Sequence, residues 1–154
     1  MNSSSASAKS DQVDRQTDVK TSPDLPAPVQ RYFETLNRGA FEQTAALFAE
    51  NGRMVPPFEQ PIQGRGAIAH YLGTEAHDMS LTPLECEPVA PAADQAEEAA
   101  DANSLQRFLV RGKVKTHLLG VNVAWQFDLN AVDEITKVRI KLLASLQELI
   151  KFNR

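Results

Sequence analysis

The chain has 154 residues, of which 42 % are hydrophobic, and a net charge of −4; that is the size of one domain with a proper core. No apolar run approaches the roughly 20 residues of a membrane-spanning helix, and the charge balance gives no support for a nucleic-acid binder. One cysteine, Cys86, excludes an internal disulfide and fits a reducing compartment, so a cytoplasmic location is expected.

The first 26 residues, MNSSSASAKSDQVDRQTDVKTSPDLP, lack an apolar core for a secretory signal and read as a disordered tail. A single domain is expected over residues 27–154. Val29, Tyr32, Phe33 and Leu36 follow at i, i+3, i+4 and i+7, which predicts an amphipathic helix ending near Gly39. FEQTAALFAENG (41–52) predicts a second, short helix stopped by Asn51-Gly52. MVPPFEQPIQG (54–64) is too rich in proline for a central strand and reads as an edge segment or loop. GAIAHYLGTEAH (66–77) predicts a third helix, and MSLTPLECEPV (79–89) an extended segment.

Residues 90–103, APAADQAEEAADAN, carry four acids and no base, an acidic loop. Three long strands follow. Over 104–116, Phe108, Val110 and Val114 face inward, while Arg107, Arg111, Lys113 and Lys115 face solvent. In NVAWQFDLN (122–130), Val123, Trp125, Phe127 and Leu129 share the inner face and Asp128 the other. ITKVRIKLL (135–143) turns Val138, Ile140 and Leu142 inward and Lys137, Arg139 and Lys141 outward. NAVDE (130–134) suits a hairpin between the last two strands. SLQELIKF (145–152) predicts a terminal amphipathic helix, either part of the core or a lid over a cavity.

Helices followed by long strands with one apolar face predict an α+β domain: helices packed on one side of a curved antiparallel sheet. The order α-α-β-α-β-β-β-β resembles the nuclear transport factor 2-like cone, which encloses an apolar cavity. That fold hosts isomerases, dehydratases and binding modules, so function must be argued from the site.

Metal chemistry finds little to use: His70, His77 and His117 are the only histidines, without a third ligand at a matching interval. Nucleophile elbows and phosphate-cradling glycine loops are absent. Proton abstraction of the ketosteroid isomerase kind needs an inward carboxylate, with Tyr32 as electrophile. The place for that acid, near MVPPFEQ, holds Pro56-Pro57, and Asp128 faces away from Trp125. Trp125 is the only tryptophan, and its buried N–H needs an acceptor. Either Tyr32 and Trp125 are ordinary core aromatics bonded to backbone or water, or both donors serve a ligand's acceptor, such as a ketone.

VQRYFETLNRGAFEQTAALFAENG, PPFEQPIQGRGAI, GKVKT, VNVAWQF and IKLLASLQEL, spread over residues 28–150, are similar to the C-terminal domain of the cyanobacterial orange carotenoid protein. The chain resembles a stand-alone homologue of that domain. The resemblance implies a ketocarotenoid ligand of the canthaxanthin or echinenone type, its keto oxygen held by Tyr32 and Trp125. It implies a polyene tunnel lined by Leu36, Met79, Leu81 and Ile140. It further implies a non-enzymatic, water-soluble carrier that stores pigment, transfers it to helical carotenoid-binding proteins and quenches singlet oxygen. A homodimer sharing one carotenoid and transient membrane contact for pigment uptake belong to the same expectation. Two departures matter. HLLG (117–120) lacks the aromatic pair of the photoactive proteins, and the family's cysteine position falls on Ala76, so a disulfide-linked dimer is not implied. The alternatives are a small-molecule isomerase or hydratase, and a protein–protein module using the basic strand face.

Overall fold

The computed structural model describes residues 23–90 and 105–143. In chain order the elements are α1 (Ala27–Asn37), α2 (Phe41–Ala46), β1 (Phe48–Val55), β2 (Ile62–Gln63), α3 (Arg65–Glu75), β3 (Ser80–Pro88), β4 (Gln106–Lys115), β5 (Gly120–Leu129) and β6 (Ile135–Leu143). The six strands form one sheet in the order β2-β1-β6-β5-β4-β3. This is the expected α+β cone.

Helix α1 forms where the apolar stripe predicts it: Val29, Tyr32, Phe33 and Leu36 are all buried. Pro28 sits in its first turn, where a missing N–H costs nothing. Gly39, at φ +77°, reverses the chain behind it and donates to the Leu36 carbonyl at 3.0 Å. Alternation in β5 is likewise obeyed, with Val123, Trp125, Phe127 and Leu129 buried side by side. The hairpin from β5 to β6 is tightened by Asn130, whose Oδ1 accepts from the Val132 and Glu134 amides at 3.0 and 2.8 Å.

Four expectations need correction. The second helix stops at Ala46, and residues 48–55 are strand. Phe48 and Met54 are fully buried there, and Met54 pairs with Ile62 on one side and Val138 on the other, so sheet pairing overrides a weak helical pattern. That pairing of β1 with β6 is parallel, the other neighbours being antiparallel. Arg107 and Lys137 do not lie on a solvated face: they are 5 % and 3 % exposed. Finally, Leu142 is 46 % exposed and Ile140 only half-buried, because β1 ends opposite Arg139 and leaves the end of β6 without a neighbour on that side.

The buried arginine is paired. Arg107 stands directly opposite Asp128 in the β4–β5 register, and its Nε and Nη2 donate to Oδ1 and Oδ2 at 2.8 and 3.1 Å. Lys137 faces Asp128 from β6. The Thr136 hydroxyl donates to the Asp128 carbonyl at 3.1 Å. A two-pronged pair of this kind can offset the cost of taking both charges out of water. The expected tail, the acidic loop and the helix over 145–152 lie wholly or almost wholly outside the described residues.

Candidate functional site

Tyr32 and Phe33 from α1, Phe48 from β1, and Trp125 and Phe127 from β5 build one aromatic nest. Phe33 meets Trp125 edge-on, centroids 4.8 Å apart, and Tyr32 meets Phe127 in the same way at 5.0 Å. Tyr32 also contacts Phe48, tilted, at 6.4 Å, and Phe33, edge-on, at 5.3 Å. Such perpendicular contacts fix ring orientation as well as burying area. The side chain of Trp125 is flanked across the sheet by Val110 on β4 and Ile140 on β6.

Tyr32, Leu36, Leu81 and Trp125 fall in one continuous core cluster, with Met79 and Ile140 half-buried and packed against it. The six residues singled out in the sequence are therefore neighbours of one apolar region. Phe48 escaped notice because its segment looked helical.

The polar atoms of the nest have an unusual environment. Among the described residues, neither the Tyr32 hydroxyl nor the Trp125 N–H forms a hydrogen bond. Yet among those residues no fully enclosed side-chain nitrogen or oxygen lacks a partner. Each of the two residues is only 1 % exposed, so either donor reaches at most a sliver of accessible surface. Burial, and secondarily Tyr71, raise the Tyr32 pKa well above the ordinary tyrosine value. The hydroxyl is thus held neutral, as a donor.

Among the described residues the nest holds no acid. Asp128, the buried carboxylate among the described residues, is locked to Arg107 on the face opposite Trp125. No group of three or more His, Cys, Asp or Glu side chains among the described residues is placed to hold a metal. No helix among them is long and apolar enough to cross a membrane. What the arrangement offers is two neutral donors in an apolar enclosure, suited to an uncharged acceptor.

A groove of about 960 Å³ lies beside this cluster, at the end of the sheet where β1 leaves β6. Pro56, Phe58, Pro61, Tyr71, Ile140 and Leu142 are among its walls. Ile140 thus belongs both to the groove and to the lining opposite Trp125. The Tyr71 hydroxyl donates to Glu59 at 3.3 Å, and burial followed by the Glu59 charge pushes its pKa up to about 12.

Residues 29–117 match the SnoaL-like domain family. An orange carotenoid-binding protein of Synechocystis sp. is 34 % identical over 132 residues, covering 83 % of this chain and 38 % of the relative. The corresponding protein of Limnospira maxima is 31 % identical over 126 residues, covering 79 % of this chain and 37 % of its own length. The solved structure of the Anabaena (Nostoc) sp. orange carotenoid protein binding canthaxanthin matches with a TM-score of 0.70 and 33 % identity, over 84 % of this chain and 39 % of that one. This chain therefore spans well under half the length of these relatives. A ketosteroid isomerase-type protein from Kribbella flavida, at 19 % identity and a TM-score of 0.56, shares the fold alone. The chain belongs to the SnoaL-like domain family on the nuclear transport factor 2-like fold, and it is homologous to the C-terminal domain of the orange carotenoid proteins.

Proposed function

We propose that the chain binds a ketocarotenoid, of the canthaxanthin or echinenone type, without covalent chemistry. The observation that carries this reading is the pair of donors, Tyr32 and Trp125, packed into one apolar nest without a hydrogen-bond partner among the described residues. The likeness to a structure binding canthaxanthin supports it. A conjugated ketone fits the residues present: its oxygen accepts two hydrogen bonds, and it carries no charge to desolvate. Tyr32 and Trp125 orient the keto end, while Leu36, Leu81, Met79 and Ile140 exclude water along the apolar body.

A carotenoid is roughly as long as a small domain is wide, on the order of 30 Å. One nest buries one end. The proposed holo-form is accordingly a homodimer sharing one pigment through an isologous contact. Storage of pigment, transfer to helical carotenoid-binding proteins, uptake through transient membrane contact and quenching of singlet oxygen complete the proposal. The isomerase reading is disfavoured because no described residue places a carboxylate in the nest, and proton abstraction needs a carboxylate or its equivalent beside the substrate.

Expression in carotenoid-producing cells separates the readings. A carrier is purified coloured, with pigment that co-elutes with the chain. A colourless protein from cells rich in canthaxanthin would contradict the proposal.

A further inference from the structure

β3 lies at one edge of the sheet, with β4 on one side and no described strand on the other. An edge strand presents backbone N–H and C=O groups that need partners. At Leu81 one side chain satisfies both. The Leu81 amide donates to Asn37 Oδ1 at 2.8 Å, and Asn37 Nδ2 donates to the Leu81 carbonyl at 2.9 Å. The carboxamide thus stands in for a neighbouring strand, from the last residue of α1. Leu36, one place earlier, and Leu81 are both buried in the cluster around Trp125.

The last turn of α1 is tied on a second side as well. Thr35 Oγ1 and Thr44 Oγ1 are 2.6 Å apart, both buried, linking α1 to α2. That link joins helix to helix. The Asn37 link joins helix to sheet edge, at Leu81 and next to Leu36.

We infer that Asn37 is a positioning residue for the cavity: its carboxamide clasps the edge strand to α1, sets the spacing of Leu36 and Leu81, and governs access to Trp125. The inference rests on the nest being a ligand cavity. The clasp needs a donor and an acceptor on one planar group of this length. An ionised aspartate offers acceptors only and repels the Leu81 carbonyl; a protonated one restores the pattern. Because the anion is disfavoured there, such a carboxyl takes up its proton above the ordinary value of about 3.9.

Trp125 is the only tryptophan, so its fluorescence in the full-length, ligand-free chain reads access to the nest directly. Acrylamide quenching should rise about threefold in Asn37→Ala, as local opening becomes cheaper. Asn37→Asp should behave like the alanine variant at pH 7 and like wild type at about pH 4.5. Thr44→Val, which breaks the other link and keeps the clasp, should quench as wild type. Wild-type quenching in both Asn37 variants at pH 7 would overturn the inference. So would equal quenching in Thr44→Val at matched loss of stability, since access would then follow general loosening. If Asn37→Ala does not fold, the pH dependence of Asn37→Asp decides alone. Canthaxanthin uptake is measured separately, so a wild-type chain that takes up none would end the proposed function without altering the quenching result.

Discussion

Trp125 and Tyr32 were placed by pattern: strict alternation in one case and an i, i+3, i+4, i+7 stripe in the other, and both are buried as those periods require. What alternation cannot say is whether an outward residue meets water. Arg107 and Asp128 both read as outward, yet each is almost wholly buried and they hold each other. The β4–β5 register that pairs them follows from the short loop 116–119, so the contact was within reach of the sequence; its burial was not. Removing one partner takes the two-pronged pair from the other buried charge. Arg107→Ala or Asp128→Asn should therefore cost about 3–5 kcal/mol in urea unfolding, and Arg107→Met with Asp128→Leu considerably less. Tyr32 supplies a second test. Its raised pKa means that the folded state holds the phenol neutral where the unfolded chain, near pH 10, releases the proton. The stabilisation is complete below pH 10 and is lost as pH rises toward the folded value. Stability should fall by about 1.4 kcal/mol per pH unit above pH 10 through this group, and Tyr32→Phe should remove that part of the slope.

At the scale of elements, the long strands and α1 were legible because each carries an unbroken period over nine or more residues. The segment 41–55 was not. Its six-residue helix and eight-residue strand share a run of Ala, Phe and Leu that suits either state, and the deciding contacts come from β6, some 80 residues on. The clasp at Asn37 was equally hidden, since a polar residue closing a helix says nothing of a strand 44 positions away. Gly112 shows how tightly the edge is built. It pairs with Pro83 where the β3–β4 register shifts, and a Cβ there would collide with the Thr82 carbonyl oxygen. Gly112→Ala should lower stability by about 1–3 kcal/mol, seen as a lower thermal midpoint, while leaving Gly120→Ala, in open surroundings, near wild type.

Across the whole molecule, four large exposed apolar side chains share one end of the sheet, while Leu105 and Val132 lie at the other and Leu84 on β3. Phe58 is 94 % exposed, Leu118 79 %, Leu119 58 % and Leu142 46 %. The loop after β1, the loop between β4 and β5, and the end of β6 all meet there, because β1 runs parallel to β6 and both run against β5. Phe58 and Leu142 of this rim line the groove that reaches Ile140. In the proposed holo-form it is the contact between two copies, so pigment should bind at one per two chains. Light scattering with the pigment-to-protein absorbance ratio checks this, and Leu118→Ser with Leu119→Ser should weaken the dimer; one pigment per monomer would contradict it. The central claim, however, is that two neutral donors in an apolar nest hold a ketone, and the visible spectrum of the canthaxanthin-loaded protein tests it most directly. Each bond contributes about 0.5–1.5 kcal/mol net and polarises the conjugated carbonyl. Wild type should absorb well to the red of free pigment, and Tyr32→Phe with Trp125→Phe, which keeps the shape and deletes both donors, should lose most of that shift and retain pigment poorly. An identical spectrum in wild type and double variant would contradict the account.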